Sequence, residues 1–379
     1  MKRFFTVLLL LTFATAVFAE NSENEVNKTI TKKLDLEMVF VVDTTGSMGG
    51  LIEGAKTKIW SIVNRVMSGK EKPNVKIGLV AYRDNQDMYV TKIYPLTEDL
   101  DSIYTALMEF RAQGGGDLKE NVRRGLADGV YKTGWSKPAK NLKQIIFLVG
   151  DAPPHDDYPQ EPDVLETTEA AVKKNMIINT IQCGDVNGTK EIWQKIALNG
   201  EGKYFSIAQD GGVNAIETPY DKDLAVLGNQ LGGTFLAYGG GAGATGKEYR
   251  ANAKKKQNVA ELTVLNSAPA TAAADRALNK TMNSVAYVDD LLQAIENKTV
   301  KLEDVKEEDL PDEIKPLSAE ERKAEIERRL SERKEIRAKI VELSKKRDAY
   351  ITVEAVKQGK QDGFDAAVEI ALSEQIERP

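Results

Sequence analysis

Residues 38–42, Met-Val-Phe-Val-Val, form an unbroken apolar run that stops at Asp43 and continues as Thr44-Thr45-Gly46-Ser47. A run this short and this rich in β-formers reads as a strand buried on both faces, the kind a parallel sheet contains. A carboxylate at its end, followed by hydroxyls at alternate positions, places the segment at the carboxyl edge of the sheet. Open α/β folds hold their ligands there. Asp43, Thr45 and Ser47 offer oxygen donors only, which suit Mg2+, Ca2+ or Mn2+ rather than zinc. The D-x-[ST]-x-S spacing is short, and two later segments give it weight.

Residues 113–121, Gln-Gly-Gly-Gly-Asp-Leu-Lys-Glu-Asn, lie between two helical patterns and bring Asp117 and Glu120 beside a glycine run. Residues 142–149 are a second buried-strand pattern, ending in Gly150-Asp151-Ala152-Pro153-Pro154-His155. Around them strand and helix signals alternate. A helical stripe covers 51–67, strands at 76–82 and 88–96 read as a hairpin through 84–87, and helices follow at 99–110 and 120–131. Then come a helix at 162–174, a strand at 176–183, a helix at 189–198 and a short strand at 203–207. The pattern predicts an α/β fold with a doubly wound, mostly parallel sheet, followed by a mainly α-helical C-terminal region. Strand ends in such a sheet share one edge, so the three loops can converge on one ion.

These three loops, in this order, resemble the von Willebrand factor type A domain and its metal-ion-dependent adhesion site. The likeness covers residues 34–208. The GGGD-x-x-E and DAPPH segments are most similar to the variant in integrin β subunits and some bacterial and extracellular homologues. The resemblance implies that Asp43, Thr45 and Ser47 serve from the first loop, Glu120 from the second and Asp151 from the third. Asp117 matches a flanking acidic position and is an alternative to Glu120. Thr45 stands where serine is commoner and keeps the hydroxyl. Gly49-Gly50 replace the acidic pair that follows the first loop in integrins, so that adjacent regulatory ion is not implied.

Neutral hydroxyls around an ion leave it with positive charge and a coordination position that a partner's Asp or Glu carboxylate can take. The resemblance therefore implies a non-enzymatic module that binds protein partners through Mg2+ (or Ca2+ or Mn2+). A metal-dependent hydrolase is the first alternative, and it needs a general base or a second ion nearby. His155 and Asp156 are the only local candidates. A structural envelope protein with a vestigial, ion-free site is the second.

Residues 1–19 carry Lys2 and Arg3, an apolar stretch at 4–13 and a small-residue end at Ala19, which reads as a secretory signal peptide. Its removal takes the formal charge from −6 to −8. A mildly acidic, exported protein, periplasmic or secreted, argues against nucleic acid as a partner. No later segment reads as a membrane span. Cys183, the single cysteine, ends the strand pattern 176–183 and reads as core filler. Arg83-Asp84 reads as a local salt bridge in a turn, and His155 as a loop histidine bonded to backbone.

Past residue 208 the signals change. A short helix at 223–231 precedes a strand-like run at 234–238 and a Gly-rich linker, so 209–247 reads as an extension. Residues 241–247 spell G-x-x-x-x-G-K, but Glu248 follows where the phosphate-binding motif needs a hydroxyl, and no βαβ unit surrounds it. A turn is the reading. From 248 to 379 helix formers dominate: 249–286, short pieces at 288–297 and 305–310, and a last amphipathic segment at 366–376. Ser318-Ala319-Glu320-Glu321 is a capping box that opens a long charged helix to about residue 347. Its sparse apolar positions predict a helix folded back on its neighbours rather than a coiled coil.

Overall fold

The computed structural model describes residues 33–70, 72–213, 215–358 and 363–377. The signal segment 1–19 lies outside the described residues. Six strands form one sheet in the order β3-β2-β1-β4-β5-β6. They are β1 (Asp35–Asp43), β2 (Asn74–Tyr82), β3 (Thr91–Thr97), β4 (Leu142–Gly150), β5 (Met176–Cys183) and β6 (Glu201–Ile207). All neighbours run parallel except β3, which returns antiparallel to β2 as the hairpin reading requires.

β1 is the central strand, paired to β2 on one side and β4 on the other. Its alternation fixes both cores. Leu36, Met38, Phe40 and Val42 face one layer, and Val39 and Val41 face the other. The first layer holds α1 (Gly49–Ser68) and α2 (Leu100–Glu109). The second holds α3 (Val122–Tyr131), α4 (Val164–Val172) and α5 (Thr189–Asn199). Because β1 connects through α1 to β2 while β4 lies on its other side, the chain reverses direction across the sheet at β1. That is the switch point at which an open α/β sheet leaves a crevice.

The remaining helices are α6 (Asp221–Gly233), α7 (Gly243–Ser267), α8 (Ala270–Met282), α9 (Leu291–Glu296), α10 (Ala319–Gln358) and α11 (Phe364–Gln375). Pro269 separates α7 from α8, where one helix-forming stretch was expected. The run 234–238 is not a strand. It makes one isolated antiparallel bridge, Ala237 to Asp290. The Ser318 capping box forms as read: Ser318 N donates to Glu321 Oε2 at 2.8 Å and Glu321 N to Ser318 Oγ at 3.3 Å. α10 continues past residue 347, and Ile336 and Ile340 pack with Leu224 and Leu231 of α6 and Ala274 and Ala277 of α8.

The helical region joins the sheet layer directly. α8 and α11 contribute to the same core as α1 and α2, and Phe364 lies 6.0 Å from Phe40, itself stacked on Phe147 at 5.1 Å. The described residues cluster as one compact unit. In the Gly-rich turn, Gly239 N and Gly241 N donate to Asp309, and Arg250 donates to the Gly239 and Glu308 carbonyls. Those backbone groups are spent on the protein itself, which agrees with a turn.

Candidate metal centre

Three loops meet at the carboxyl edge above β1. Asp43 ends the strand with its side chain wholly buried, and Oδ1 accepts from Thr45 N at 2.8 Å and from Thr45 Oγ1 at 2.7 Å. That local ring holds the carboxylate at the mouth of the turn. Ser47 is exposed in the single turn Gly46–Met48, whose Met48 is buried and which leads into α1. The second loop is tied to the first by backbone bonds: Gly46 N to Gly114 O at 3.2 Å and Gln113 N to Thr44 O at 3.2 Å. Gly114 and Gly115 sit at φ +83° and +79°, which a side chain would strain. The backbone thereby turns Glu120 inward, where it is 4% exposed.

Asp151 follows β4 in the third loop. Gly150 makes this possible, since a Cβ there would stand 2.4 Å from the Tyr82 hydroxyl and 3.1 Å from Asp43 Cβ. The third loop is pinned to the second by Glu120 N to Pro153 O at 3.3 Å and His155 N to Glu120 O at 3.2 Å. Asp151 Oδ2 accepts from Gln209 Nε2 at 2.7 Å. Gln209 follows β6, and its amide also faces the Ser47 carbonyl at 3.4 Å. The sequence carries no signal for that residue; only the pairing of β6 with β5 brings it over the edge.

The electrostatics of this cluster are unbalanced. Burial, reinforced by the charge of Asp151, pushes the Asp43 carboxyl up to about 7. Burial, with Asp43 and Asp84 nearby, pushes Glu120 up to about 9. Asp43 Oδ2 and Glu120 Oε2 are buried without a hydrogen-bond partner. Among the described residues, no ion pair involves Asp43, Glu120 or Asp151. Buried anionic oxygens without donors are costly unless a cation sits among them. The oxygen-only donor set therefore fits a hard divalent ion.

Two local readings are corrected. Arg83 does not pair with Asp84. Its guanidinium donates to Thr44 O at 3.2 Å and Arg111 O at 2.7 Å and lies 4.4 Å from the Tyr89 ring centroid, bracing the first two loops. The His155 ring does not bond to backbone. Its Nδ1 lies 2.8 Å from Asp157 Oδ1 and its Nε2 lies 3.2 Å from Asp117 Oδ1. Asp117 thus faces His155.

A mostly parallel sheet covered by helices on both faces, with acidic loops gathered at its switch point, defines an α/β domain of the Rossmann-like class. Residues 37–219 match the model described as von Willebrand factor A domain. A curated relative, the putative ariadne-like RING finger protein R811 of Acanthamoeba polyphaga mimivirus, is 25% identical over 160 residues. That match covers 41% of this chain and only 15% of the relative. Among solved structures, the conserved hypothetical protein BatB from Bacteroides thetaiotaomicron is 18% identical with a TM-score of 0.33, over 46% of this chain and 90% of that one. An aerotolerance-related membrane protein from Bacteroides fragilis is 14% identical with a TM-score of 0.32, over 46% and 92%. Among the described residues, no helix is long and apolar enough to cross a membrane.

Proposed function

We propose that this domain is a cation-dependent protein-binding module working outside the cytoplasm, and not an enzyme. Asp43, Thr45, Ser47, Glu120 and Asp151 would hold Mg2+, Ca2+ or Mn2+. The observation that carries this reading is the pair of orphaned, buried oxygens, Asp43 Oδ2 and Glu120 Oε2, in a cluster without a bonded cation. When bound, a hard divalent ion supplies a positive centre whose remaining coordination position suits an Asp or Glu carboxylate of a partner. The chain's own residues do the rest. Thr45 fixes Asp43 through two hydrogen bonds, Gln209 orients Asp151, and Arg83 holds the first and second loops together. The signal-like segment 1–19 supports export.

Calorimetric titration of the chelator-stripped mature protein with Mg2+, Ca2+ and Mn2+, beside Asp43→Ala, tests the site. Binding by the parent and none by the variant is the expected result. Partner capture from an envelope extract should then need the ion. Capture that is equal with chelator, with ion and with Asp43→Ala would overturn the proposal.

A further inference from the structure

We propose that the amino edge of the sheet, opposite the metal centre, is a lysine-rich face that docks the domain on an anionic phospholipid surface. The parallel strands begin at this edge, and the loops that feed them carry exposed lysines. Lys70 and Lys72 precede β2, Lys33 precedes β1, Lys137 and Lys140 precede β4, and Lys173 and Lys174 precede β5. β2, β1, β4 and β5 are consecutive neighbours in the sheet. At about 4.8 Å between strands, their starts span roughly 14 Å, so the lysines share one face. Docking of this kind does not depend on an ion at Asp43.

The first ground is the segregation of charge. Among the described residues none of these lysines forms an ion pair. Most carboxylates at this edge are engaged elsewhere. Asp35 accepts from the Asn74 amide at 2.9 Å and the Asn141 amide at 3.3 Å, Glu37 is buried against Ser136 and Gln144, and Glu374 pairs with Lys203. Glu377 stays exposed beside Lys70. The carboxyl edge has the opposite character, with Asp117, Asp156 and Asp157 exposed around the buried Asp43, Glu120 and Asp151. β1, of nine residues, separates the two edges by about 30 Å. That is several times the screening length of roughly 8 Å at physiological salt. The lysine face therefore meets an anionic surface unopposed by the acidic edge, although the chain as a whole is negative.

The second ground selects a bilayer over an acidic protein. Lipid phosphates move laterally, so point charges on long, unpaired stems can meet them without a fixed geometry. Interfacial side chains stand at the same edge. Tyr131, at the end of α3, is 52% exposed, and Lys174 Nζ lies 4.3 Å from its ring centroid. Trp135 follows in the same loop as Lys137, half-buried. Tyrosine and tryptophan favour the headgroup level of a membrane. Between the ends of α1 and α11 an apolar groove of about 400 Å3, lined by Val66, Pro73, Leu372 and Ile376, opens beside Lys70. The third ground is connectivity. Residues 1–32, with their signal-like start, join the described structure at Lys33, so a leader engaged with a membrane brings this edge towards it. Docked in this way, the domain holds its metal edge about 30 Å from the lipid and turned towards partners.

The experiment is sedimentation of the mature protein with vesicles, in chelator, comparing phosphatidylcholine alone with phosphatidylcholine mixed with phosphatidylglycerol. The parent should sediment with the mixed vesicles only and be released by high salt. Each lysine near an anionic surface contributes about fivefold, so Lys137→Glu with Lys140→Glu should weaken binding by roughly twentyfold or more. Lys301→Glu with Lys334→Glu makes the same change of charge at exposed positions of the helical region and should bind like the parent. Both double variants should titrate with Mg2+ as the parent does, which keeps failure of this face distinct from failure of the metal centre. Equal sedimentation with both kinds of vesicle, none with either, or an equal loss in both double variants overturns the proposal. Binding of polyglutamate that is lost in Lys137→Glu with Lys140→Glu, without sedimentation on vesicles, overturns it too, by assigning the face to an acidic polymer.

Discussion

The carboxylates of the sheet edge and those of the helical region are equally buried but differently partnered. Asp101 of α2 and Glu261 of α7 meet Arg276 of α8. Asp101 Oδ2 lies 2.6 Å from its guanidinium and Glu261 Oε1 2.9 Å, with Lys280 also bonded to Glu261. Although burial alone would raise them, Arg276 and Lys280 hold both carboxyls below their ordinary values. At the sheet edge the Thr45 hydrogen bonds and the Arg83 charge only partly offset burial, and Asp43 and Glu120 rise to about 7 and about 9. The chain supplies its own cations where carboxylates serve packing. Among the described residues none forms an ion pair with Asp43, Glu120 or Asp151 where the loops converge, which is the contrast the proposed cation site rests on.

The largest expected effect lies on the packed side of this comparison. Arg276→Ala removes the partner of two buried carboxylates at once and should destabilise the protein by about 3–5 kcal/mol. Urea denaturation with an unchanged m-value measures it. A loss below about 1 kcal/mol, the range of a surface pair, would show that the helical charges are not compensating one another, and the contrast would fail.

At the sheet edge the sign reverses. Asp43→Asn keeps an oxygen for Thr45 but removes a charge that the ion-free protein cannot neutralise. With its folded carboxyl at about 7, above the unfolded value of about 3.9, Asp43 contributes stability that is complete below pH 4 and lost as pH rises to 7. Glu120 extends the loss to about pH 9. The chelated parent should therefore weaken from pH 4 to 9, and Asp43→Asn should be more stable than the parent at pH 8 by on the order of 3 kcal/mol. Mg2+ or Mn2+ should restore the parent and leave the variant unchanged. A chelated variant less stable than the parent at pH 8 would sink this account. Ion uptake at pH 7 should also release roughly one to two protons, read by calorimetry in two buffers of different ionisation enthalpy.

How far these residues were legible follows from what each one depends on. Asp43, Glu120 and Asp151 end or border segments whose hydrophobic pattern is local, so their place at one edge follows once the sheet is read as parallel. The partners of Asp84 and His155 were not legible, because a turn pair such as Arg83-Asp84 looks self-sufficient in sequence. Only the folded loops show Arg83 turned to the Thr44 and Arg111 carbonyls and Asp84 turned to Tyr158. The run 234–238 has the composition of a strand but pairs with its neighbour only in the single bridge Ala237–Asp290, and β-propensity without an extended partner decides little. After residue 347 the pattern for α10 fades, because Ile351, Thr352, Val353 and Val356 lower helix propensity. The helix nevertheless runs through them to Gln358.

Gln209 gives the smallest effect and the finest test of the comparison. Its amide is a neutral donor to Asp151 Oδ2 at 2.7 Å, where Asp101 receives a guanidinium. A neutral donor orients an anion without cancelling its charge, so it can steady a metal ligand and still leave that ligand's charge for the ion. Gln209→Ala should therefore weaken ion binding by about tenfold, the lower range for residues that orient metal ligands. Stability without ion should stay within about 1 kcal/mol of the parent. Gln209→Lys should separate orientation from charge: an ammonium beside Asp151 should stabilise the chelated protein and abolish ion binding, converting the edge to the self-compensated kind found around Arg276. If the lysine variant instead binds the ion as tightly as the parent, the missing cation is not what distinguishes the two regions.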